Sequence, residues 1–374
     1  MTDPEISVIL PCRNEEEALG GCISAIKDVL KKHRITGEII VSDSSTDRSP
    51  DIARELGVIL VKHDREGYGI AYLEAFKAAT GRYVFCADPD GTYDFREIPD
   101  FINCLREGYD FVIGNRFKGK IAKRAMPWSH RYIGNPLLSF ILKIFFKTEI
   151  SDSHCGMRAL SMEALNKLKL KTSGMEFASE MVIKAIKKNL KTKELPINYY
   201  ERKGKSKLRS LADGWRHLRF MLLYSPLFLF FLPGLLLFLL GSLSMLWLYF
   251  GSASILGIKL FYHPMFLSSV LVITGYQIMI FSLFAKTYAI THLDENSPAF
   301  QSVYRYITIE KAGILGMLLT LLGVTIYAAV FVKWLSSGLG ALQEVKISIV
   351  ALTLIAVGAQ TIFSSFMLSI LGIK

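Results

Sequence analysis

Across 374 residues the chain carries 44 basic against 33 acidic side chains, a net charge of +11, and is 51% hydrophobic but only 21% charged. The apolar residues are concentrated: Phe220 to Ile258 holds no Asp, Glu, Lys or Arg, a run longer than the roughly 20 residues that cross a bilayer, which excludes a wholly water-soluble chain. Five cysteines, an odd number without a C-x-x-C pair, exclude a zinc or dithiol centre and predict reduced, packed thiols.

In chain order, Ile6-Ser7-Val8-Ile9-Leu10-Pro11 reads as a first buried strand. It follows Asp3 and Glu5 rather than a basic stretch, so no signal peptide is expected there. Asn14-Glu15-Glu16-Glu17 then opens an amphipathic helix to about Lys32. A second strand, Glu38 to Ser42, ends at Asp43, and a helix over Asp47 to Leu56, a strand over Val58 to Lys62 and a helix over Gly69 to Thr80 follow. The fourth strand, Arg82 to Ala87, stops at Asp88-Pro89-Asp90-Gly91. Strand and helix alternating through short connections predict a mostly parallel sheet with helices on both faces and a ligand site at its carboxyl edge.

Three polar strand ends converge on that edge: Pro11-Cys12-Arg13-Asn14-Glu15, Asp43-Ser44-Ser45-Thr46-Asp47 and Asp88-Pro89-Asp90. Two aspartates one residue apart at the end of a buried strand offer hard oxygen ligands, which makes Asp88 and Asp90 candidates to hold Mg²⁺ or Mn²⁺ against a diphosphate. Turn chemistry explains Asp, Pro and Gly equally well, and Asn14, Thr46 and Asp47 also suit helix caps worth about 1 kcal/mol each. Neither G-x-x-x-x-G-K-[ST] nor G-x-G-x-x-G is present, and Gly67-Tyr68-Gly69 alone is a weak signal. Glu176 and Glu180 begin a helix to Asn189, where a carboxylate serves the positive helix end as readily as a sugar.

His130 to Lys147 carries Tyr132-Ile133, Leu137-Leu138, Ile141-Leu142 and Phe145-Phe146 between basic ends, the pattern of a helix at a membrane surface. Lys207 to Arg219 repeats it with Leu208, Leu211, Trp215 and Leu218, and both stripes could instead pack on the sheet. Membrane helices are expected near 226–250, 264–286, 312–334 and 347–372, giving three parts: 1–200, 201–224 and 225–374. Arg202, Lys203, Lys205, Lys207, Arg209, Arg216 and Arg219 precede the first span against Lys259 alone after it, which predicts an integral membrane protein with its first part in the cytoplasm. Pro233-Gly234 is expected to bend or unwind that span. The runs Phe220 to Ile258, His263 to Ala285, Ala312 to Val332 and Ile347 to Ile373 hold no Asp, Glu, Lys or Arg, which favours anchoring over coupled transport.

The ordered set Val8-Ile9-Leu10-Pro11 with Asn14-Glu15, Val41 to Asp47, Gly67-Tyr68-Gly69 and Asp88-Pro89-Asp90-Gly91 resembles an inverting glycosyltransferase of the GT-A fold, family 2. Gly114-Asn115-Arg116, Ser151 to Arg158 and Lys203-Gly204-Lys205-Ser206-Lys207 resemble its dolichyl-phosphate mannose or glucose synthase branch. The resemblance implies that Pro11, Arg13, Glu15 and Asp43 hold the nucleotide, that Asp88 and Asp90 meet metal and diphosphate, and that Asp152 lies near the sugar. It also implies that Arg116 and Arg131 grip the acceptor phosphate, and that Lys205 and Lys207 belong to a flap over the donor. Thr92 stands where some relatives have Gln. The implied reaction moves a hexose from UDP-glucose or GDP-mannose to a polyprenyl or dolichyl phosphate in the bilayer. Nucleic acid is not expected as a partner, and oligomer formation is left open. A processive polysaccharide synthase is the first alternative, but Q-x-x-R-W is absent. A non-catalytic nucleotide-sugar sensor or a lipid-flipping module is the other.

Overall fold

The computed structural model describes residues 4–204, 210–251, 254–255, 258–292, 308–340 and 343–372. The chain divides into two compact units, Met1–Tyr224 and Ser225–Lys374.

The first unit is organised around β1 (Ile6–Cys12), almost wholly enclosed because its run of Ile, Val and Leu faces helices on both sides of the sheet. It pairs in parallel with β2 (Gly37–Asp43) and β4 (Tyr83–Cys86), and β2 pairs in parallel with β3 (Ile59–Lys62). The crossovers are α1 (Glu16–Lys32), α2 (Ser49–Glu55) and α3 (Tyr68–Phe76). Helix α1 buries Leu19, Ile23, Ile26 and Leu30, a spacing that places one stripe on the sheet. After β4 come α4 (Ile98–Arg106), β5 (Phe111–Asn115), α5 (Asn135–Phe146), β6 (Arg158–Ser161), α6 (Met162–Leu168), α7 (Phe177–Lys187), β7 (Thr192–Pro196) and α8 (Ser210–Leu223).

The sheet order is β3-β2-β1-β4-β6-β5-β7. Strand β6 runs antiparallel between β4 and β5, with Arg158 opposite both Cys86 and Ile113, and the other six strands share one direction. The result is the mostly parallel, helix-covered sheet of a GT-A fold. The reversed strand has a consequence for the site: the loop entering β6, Ser151 to Met157, arrives at the same edge where β1, β2, β4 and β5 end. All five cysteines are buried and unbridged.

Helix α5 uses both of its faces. Ser139 and Leu142 are buried and Leu138, Ile141, Phe145 and Phe146 pack on the core, whereas Tyr132, Ile133, Leu137, Phe140 and Ile144 lie exposed along the other side. Packing on the sheet and an outward apolar stripe therefore coexist. Helix α8 buries His217, Phe220 and Met221 and exposes Trp215, so the Trp215 side of the expected stripe faces outward; Leu208 lies outside the described residues.

In the second unit four helices are long and apolar enough to cross a membrane: Leu227–Phe250, His263–Thr291, Glu310–Ser336 and Val345–Gly372. The expected break at Pro233 is a single widened turn, Leu227–Phe231, just ahead of the proline, whose missing N–H removes one rung of the helix ladder. Glycines bring the helix backbones together: a Cβ on Gly234 would lie 2.8 Å from Gly275 O, and one on Gly358 would lie 2.7 Å from Gly316 O. Between the second and fourth spans, the Tyr276 and Thr361 hydroxyls meet at 2.6 Å and Ser269 meets Thr353 at 2.7 Å.

Candidate active site

The loops after β1 and β2 are laced together. Thr46 N donates to Asn14 Oδ1 at 2.8 Å, Asn14 N to Ser45 Oγ at 2.7 Å, and Glu15 N to Ser49 Oγ at 3.0 Å. Asp47 accepts from Ser49 N and Glu16 N. Asn14 and Asp47 thus tie two strand ends into one rim, and Asn14 takes the left-handed φ of 53° that an Asn tolerates. Beneath the rim, Asp43 is fully enclosed and neither of its carboxylate oxygens has a hydrogen-bond partner. Pro11 pairs with Ser42 across the β1–β2 register, and Arg13 points outward to Glu66.

Asp88 and Asp90 follow β4. Asp88 is half-buried and Asp90 is buried. Burial first, and then Asp90, push the Asp88 carboxyl well above the usual carboxylate range, with Arg202 and the Tyr68 hydroxyl opposing the rise. Asp90 Oδ1 accepts from Thr92 N at 3.0 Å and Thr92 Oγ1 at 2.6 Å, so Thr92 serves Asp90 rather than presenting a ligand of its own. The other oxygen accepts from Arg202 Nη1 at 2.8 Å, and Arg202 Nη2 reaches Glu15. Arg202, which sequence alone counts only among the basic residues before the membrane, therefore joins two candidate carboxylates 75 positions apart. Gly156 closes the far side: a Cβ there would sit 2.7 Å from Asp88 Oδ2 and 2.9 Å from the Tyr93 hydroxyl.

Arg116 and Asp152, separate candidates in sequence, form one buried pair. Nε and Nη2 of Arg116 donate to the two Asp152 oxygens at 2.8 and 2.7 Å, and Arg116 N donates at 3.0 Å. Burial works against the guanidinium, but Asp152 overcomes it and holds the Arg116 pKa well above its ordinary value. Ser151 N and Asp152 N donate to Glu194 on β7, and Asn115 Nδ2 donates to Ser151 Oγ, which fixes the loop. The Arg116 guanidinium lies 5.3 Å from the Tyr199 ring, and Tyr199 meets Tyr93 edge-on at 5.4 Å. This aromatic pair connects the arginine to the Asp88 side, since Tyr93 OH accepts from Gly156 N at 2.7 Å.

Three further residues shape the site: Arg158 and His154, which stand in the Ser151 to Arg158 motif without an expected role of their own, and His217, which carries no signal in the sequence. Buried Arg158 donates to the carbonyls of Ser153, Cys155 and Ala178, clamping the loop that carries Asp152. His154 from that loop and His217 from α8 meet edge-on at 4.4 Å. Burial keeps both neutral, pushing His217 down to about 4 and His154 well below its ordinary value. Only their contact across 63 positions reveals them.

The remaining candidates are placed as follows. Arg131 lies in the turn before α5 with its guanidinium 5.4 Å from the Tyr132 ring, and makes no hydrogen bond to another candidate among the described residues. Glu180 is consumed by Lys171 N, Thr172 and Lys184, whereas Glu176 keeps one buried oxygen without a partner. Gly67 and Gly69 are required by close approach, since a Cβ on either would fall within 2.4 Å of the Ser173 or Thr172 carbonyl. Lys205 and Lys207 lie outside the described residues.

Residues 7–169 match the family model for glycosyl transferase family 2, and residues 283–372 match the glycosyltransferase family 2 C-terminal transmembrane region. The chain is 38% identical to the low-salt glycan biosynthesis hexosyltransferase Agl6 of Haloferax volcanii, over 99% of this chain and 89% of that one. The chain belongs to glycosyltransferase family 2. This family 2 enzyme is also 30% identical to a dolichyl-phosphate hexose transferase of the same organism, over 57% of this chain and 90% of that one. Its fold is similar, at a TM-score of 0.47 and 21% identity, to a glucosyl-3-phosphoglycerate synthase of Mycobacterium tuberculosis solved with Mn²⁺ and UDP, over 59% of this chain and 79% of that one. A likeness of that degree bears on neither substrate nor metal. The protein is a glycosyltransferase integral to a membrane.

Proposed function

We propose that this family 2 enzyme transfers a hexose, glucose or mannose, from a nucleotide diphosphate sugar to a polyprenyl phosphate with inversion, its catalytic unit facing the cytoplasm. The observation that carries the reading is the acidic cluster of Asp88, Asp90 and Glu15 facing the buried Arg116 and Asp152 pair across Tyr93 and Tyr199. One end suits a leaving diphosphate with its cation, and the other suits an incoming phosphate. The names of both Haloferax relatives support a hexose, and that of the dolichyl-phosphate hexose transferase, the outward apolar stripe of α5 and the membrane unit support a lipid acceptor.

A divalent cation fits the donor end. Carboxylate oxygens are hard ligands, and burial first and then the neighbouring Asp90 resist ionisation of Asp88, so a cation there would relieve both. Among the described residues no group of three or more His, Cys, Asp or Glu side chains forms a ready cage. Asp88 and Asp90 would therefore hold Mg²⁺ or Mn²⁺ with phosphate oxygens completing its shell. When bound, the cation neutralises charge gathering on the leaving diphosphate. Asp43 offers two enclosed acceptors that N–H or O–H groups of a nucleoside would satisfy.

The acceptor monoester oxygen attacks the anomeric carbon on the face opposite the diphosphate. A carbon–oxygen bond forms as the bond to the diphosphate breaks, and no proton changes place. Asp152 takes Nε and Nη2 of Arg116, so the acceptor phosphate would meet Nη1, which has no hydrogen bond among the described residues. Arg131, at the head of the exposed stripe, would meet the same phosphate from the lipid side.

Purified full-length protein incubated with polyprenyl phosphate, Mg²⁺ and radiolabelled UDP-glucose or GDP-mannose should move label into an organic-soluble lipid, and excess chelator should remove nearly all of it. Full turnover in chelator would overturn the metal assignment. No labelled lipid from either donor or related nucleotide sugars would overturn the reaction.

A further inference from the structure

The acidic cluster contains a cation of its own. Arg202 spans Asp90 and Glu15 through its two terminal nitrogens, with Nη1 2.8 Å from Asp90 Oδ2. It sits on a segment laid against the Asp90 loop: Tyr200 N donates to Thr92 O, and Lys203 N donates to Asp90 O, both at 2.9 Å. The segment reaches Gly204, whose φ of +82° suits glycine.

Two features make this pose replaceable. Arg202 Nε is buried without a hydrogen-bond partner, so the guanidinium bridges two carboxylates while one donor stays unsatisfied, at a cost in free energy. The Asp90 oxygen it holds is also the one open to exchange, because Oδ1 already accepts from Thr92 N and Thr92 Oγ1. A divalent cation on Asp90 Oδ2 would stand against the guanidinium across a poorly solvated gap, and the two positive groups repel strongly there.

Resting on the reading of Asp88 and Asp90 as metal-holding carboxylates, we propose that Arg202 is the resident counter-cation of the donor site and exchanges with the metal. Without metal it neutralises Asp90 and Glu15. When the cation arrives, Asp90 Oδ2 passes from Arg202 to the metal, and the Lys203 N to Asp90 O tie loosens with it. Arg202 is thus a positioning residue that links metal arrival to the backbone beside the site.

The test uses full-length protein in detergent, titrated with Mn²⁺ without nucleotide. Free Mn²⁺ is read by electron paramagnetic resonance, and hydrogen exchange is followed at the amides of 200–204. Arg202→Gln should bind Mn²⁺ about tenfold more tightly than the unaltered chain, the size of an ordinary coupling between two ligands. Mn²⁺ should speed exchange at Lys203 in the unaltered chain, and in Arg202→Gln exchange should be fast from the start. Arg202→Lys keeps the charge without the fork and should fall between, even if Arg202→Gln proves unstable. Mn²⁺ binding in Arg202→Gln equal to or weaker than in the unaltered chain, or exchange at Lys203 that does not respond to Mn²⁺, would overturn the exchange. If Asp90→Asn and Asp88→Asn bind Mn²⁺ as well as the unaltered chain, the metal assignment itself fails and takes the exchange with it.

Discussion

Asp88→Asn should lower hexosyl transfer by on the order of a thousandfold while leaving the fold intact, because on the proposed reading Asp88 holds the cation that neutralises charge developing on the leaving diphosphate, an interaction that matters mainly in the transition state. Asp88 follows β4 and is half-buried, and among the described residues it forms no ion pair, its side chain being met by the Tyr68 hydroxyl. Arg202 is paired with Asp90 and Glu15 instead, so removing the Asp88 charge orphans no buried cation. It also relieves repulsion among crowded carboxylates, so thermal stability without metal should hold or rise slightly. Asp90→Ala should behave differently. Transfer should again collapse, but Thr92 and one end of Arg202 lose their acceptor, so stability should fall as well. Label transfer and thermal unfolding, measured on the same preparations, separate the two outcomes. Turnover of Asp88→Asn within tenfold of the unaltered chain would remove this residue from the chemistry.

The second large effect falls on stability. Asp152 is fully enclosed, Arg116 is 6% exposed, and three hydrogen bonds join them. Removing one partner leaves a buried charge without compensation, so Asp152→Ala or Arg116→Ala should each cost about 3–5 kcal/mol. Replacing both together, Arg116→Met with Asp152→Leu, should cost less than either single change, because no orphaned charge remains. Denaturant unfolding of the detergent-solubilised chain measures all three. A Arg116→Lys variant keeps the charge but cannot reproduce the planar two-point grip. Its effect on activity therefore mixes lost positioning of Asp152 with lost contact to a phosphate. If Asp152→Ala unfolds at the same denaturant concentration as the unaltered chain, the pair contributes no stability.

What could be read from sequence was what local pattern encodes. The apolar runs ending in Asp43 and Asp88 marked both the strands and the edge where they stop. The four uncharged runs marked the membrane helices, because a bilayer imposes a length and a composition that single residues report directly. The direction of β6 was hidden, since a strand of only four residues, Arg158 to Ser161, carries no pattern that tells one direction from the other. The partnership of Arg116 with Asp152 depends on that reversed strand, which delivers a loop 36 positions downstream to the edge where β5 ends. Arg202 was misleading for another reason: among so many basic residues near the membrane, nothing local distinguishes the one that turns inward to Asp90. Gly67-Tyr68-Gly69 taken alone was a weak signal, and only the Ser173 and Thr172 carbonyls packed against the two glycines explain why no side chain fits.

On the proposed reaction an acceptor phosphate, already ionised, attacks without a general base. A phosphate monoester has its second pKa near about 6 and is largely dianionic at neutral pH, whereas an alcohol must lose a proton to attack. The most direct measurement gives the purified enzyme an α-linked nucleotide sugar with either polyprenyl phosphate or the matching polyprenyl alcohol, and determines the anomeric configuration of the product by nuclear magnetic resonance. A β-linked lipid-phosphate sugar is expected from the phosphate and no product from the alcohol. Efficient glycosylation of the free alcohol, or an α-linked product from the phosphate, would contradict it.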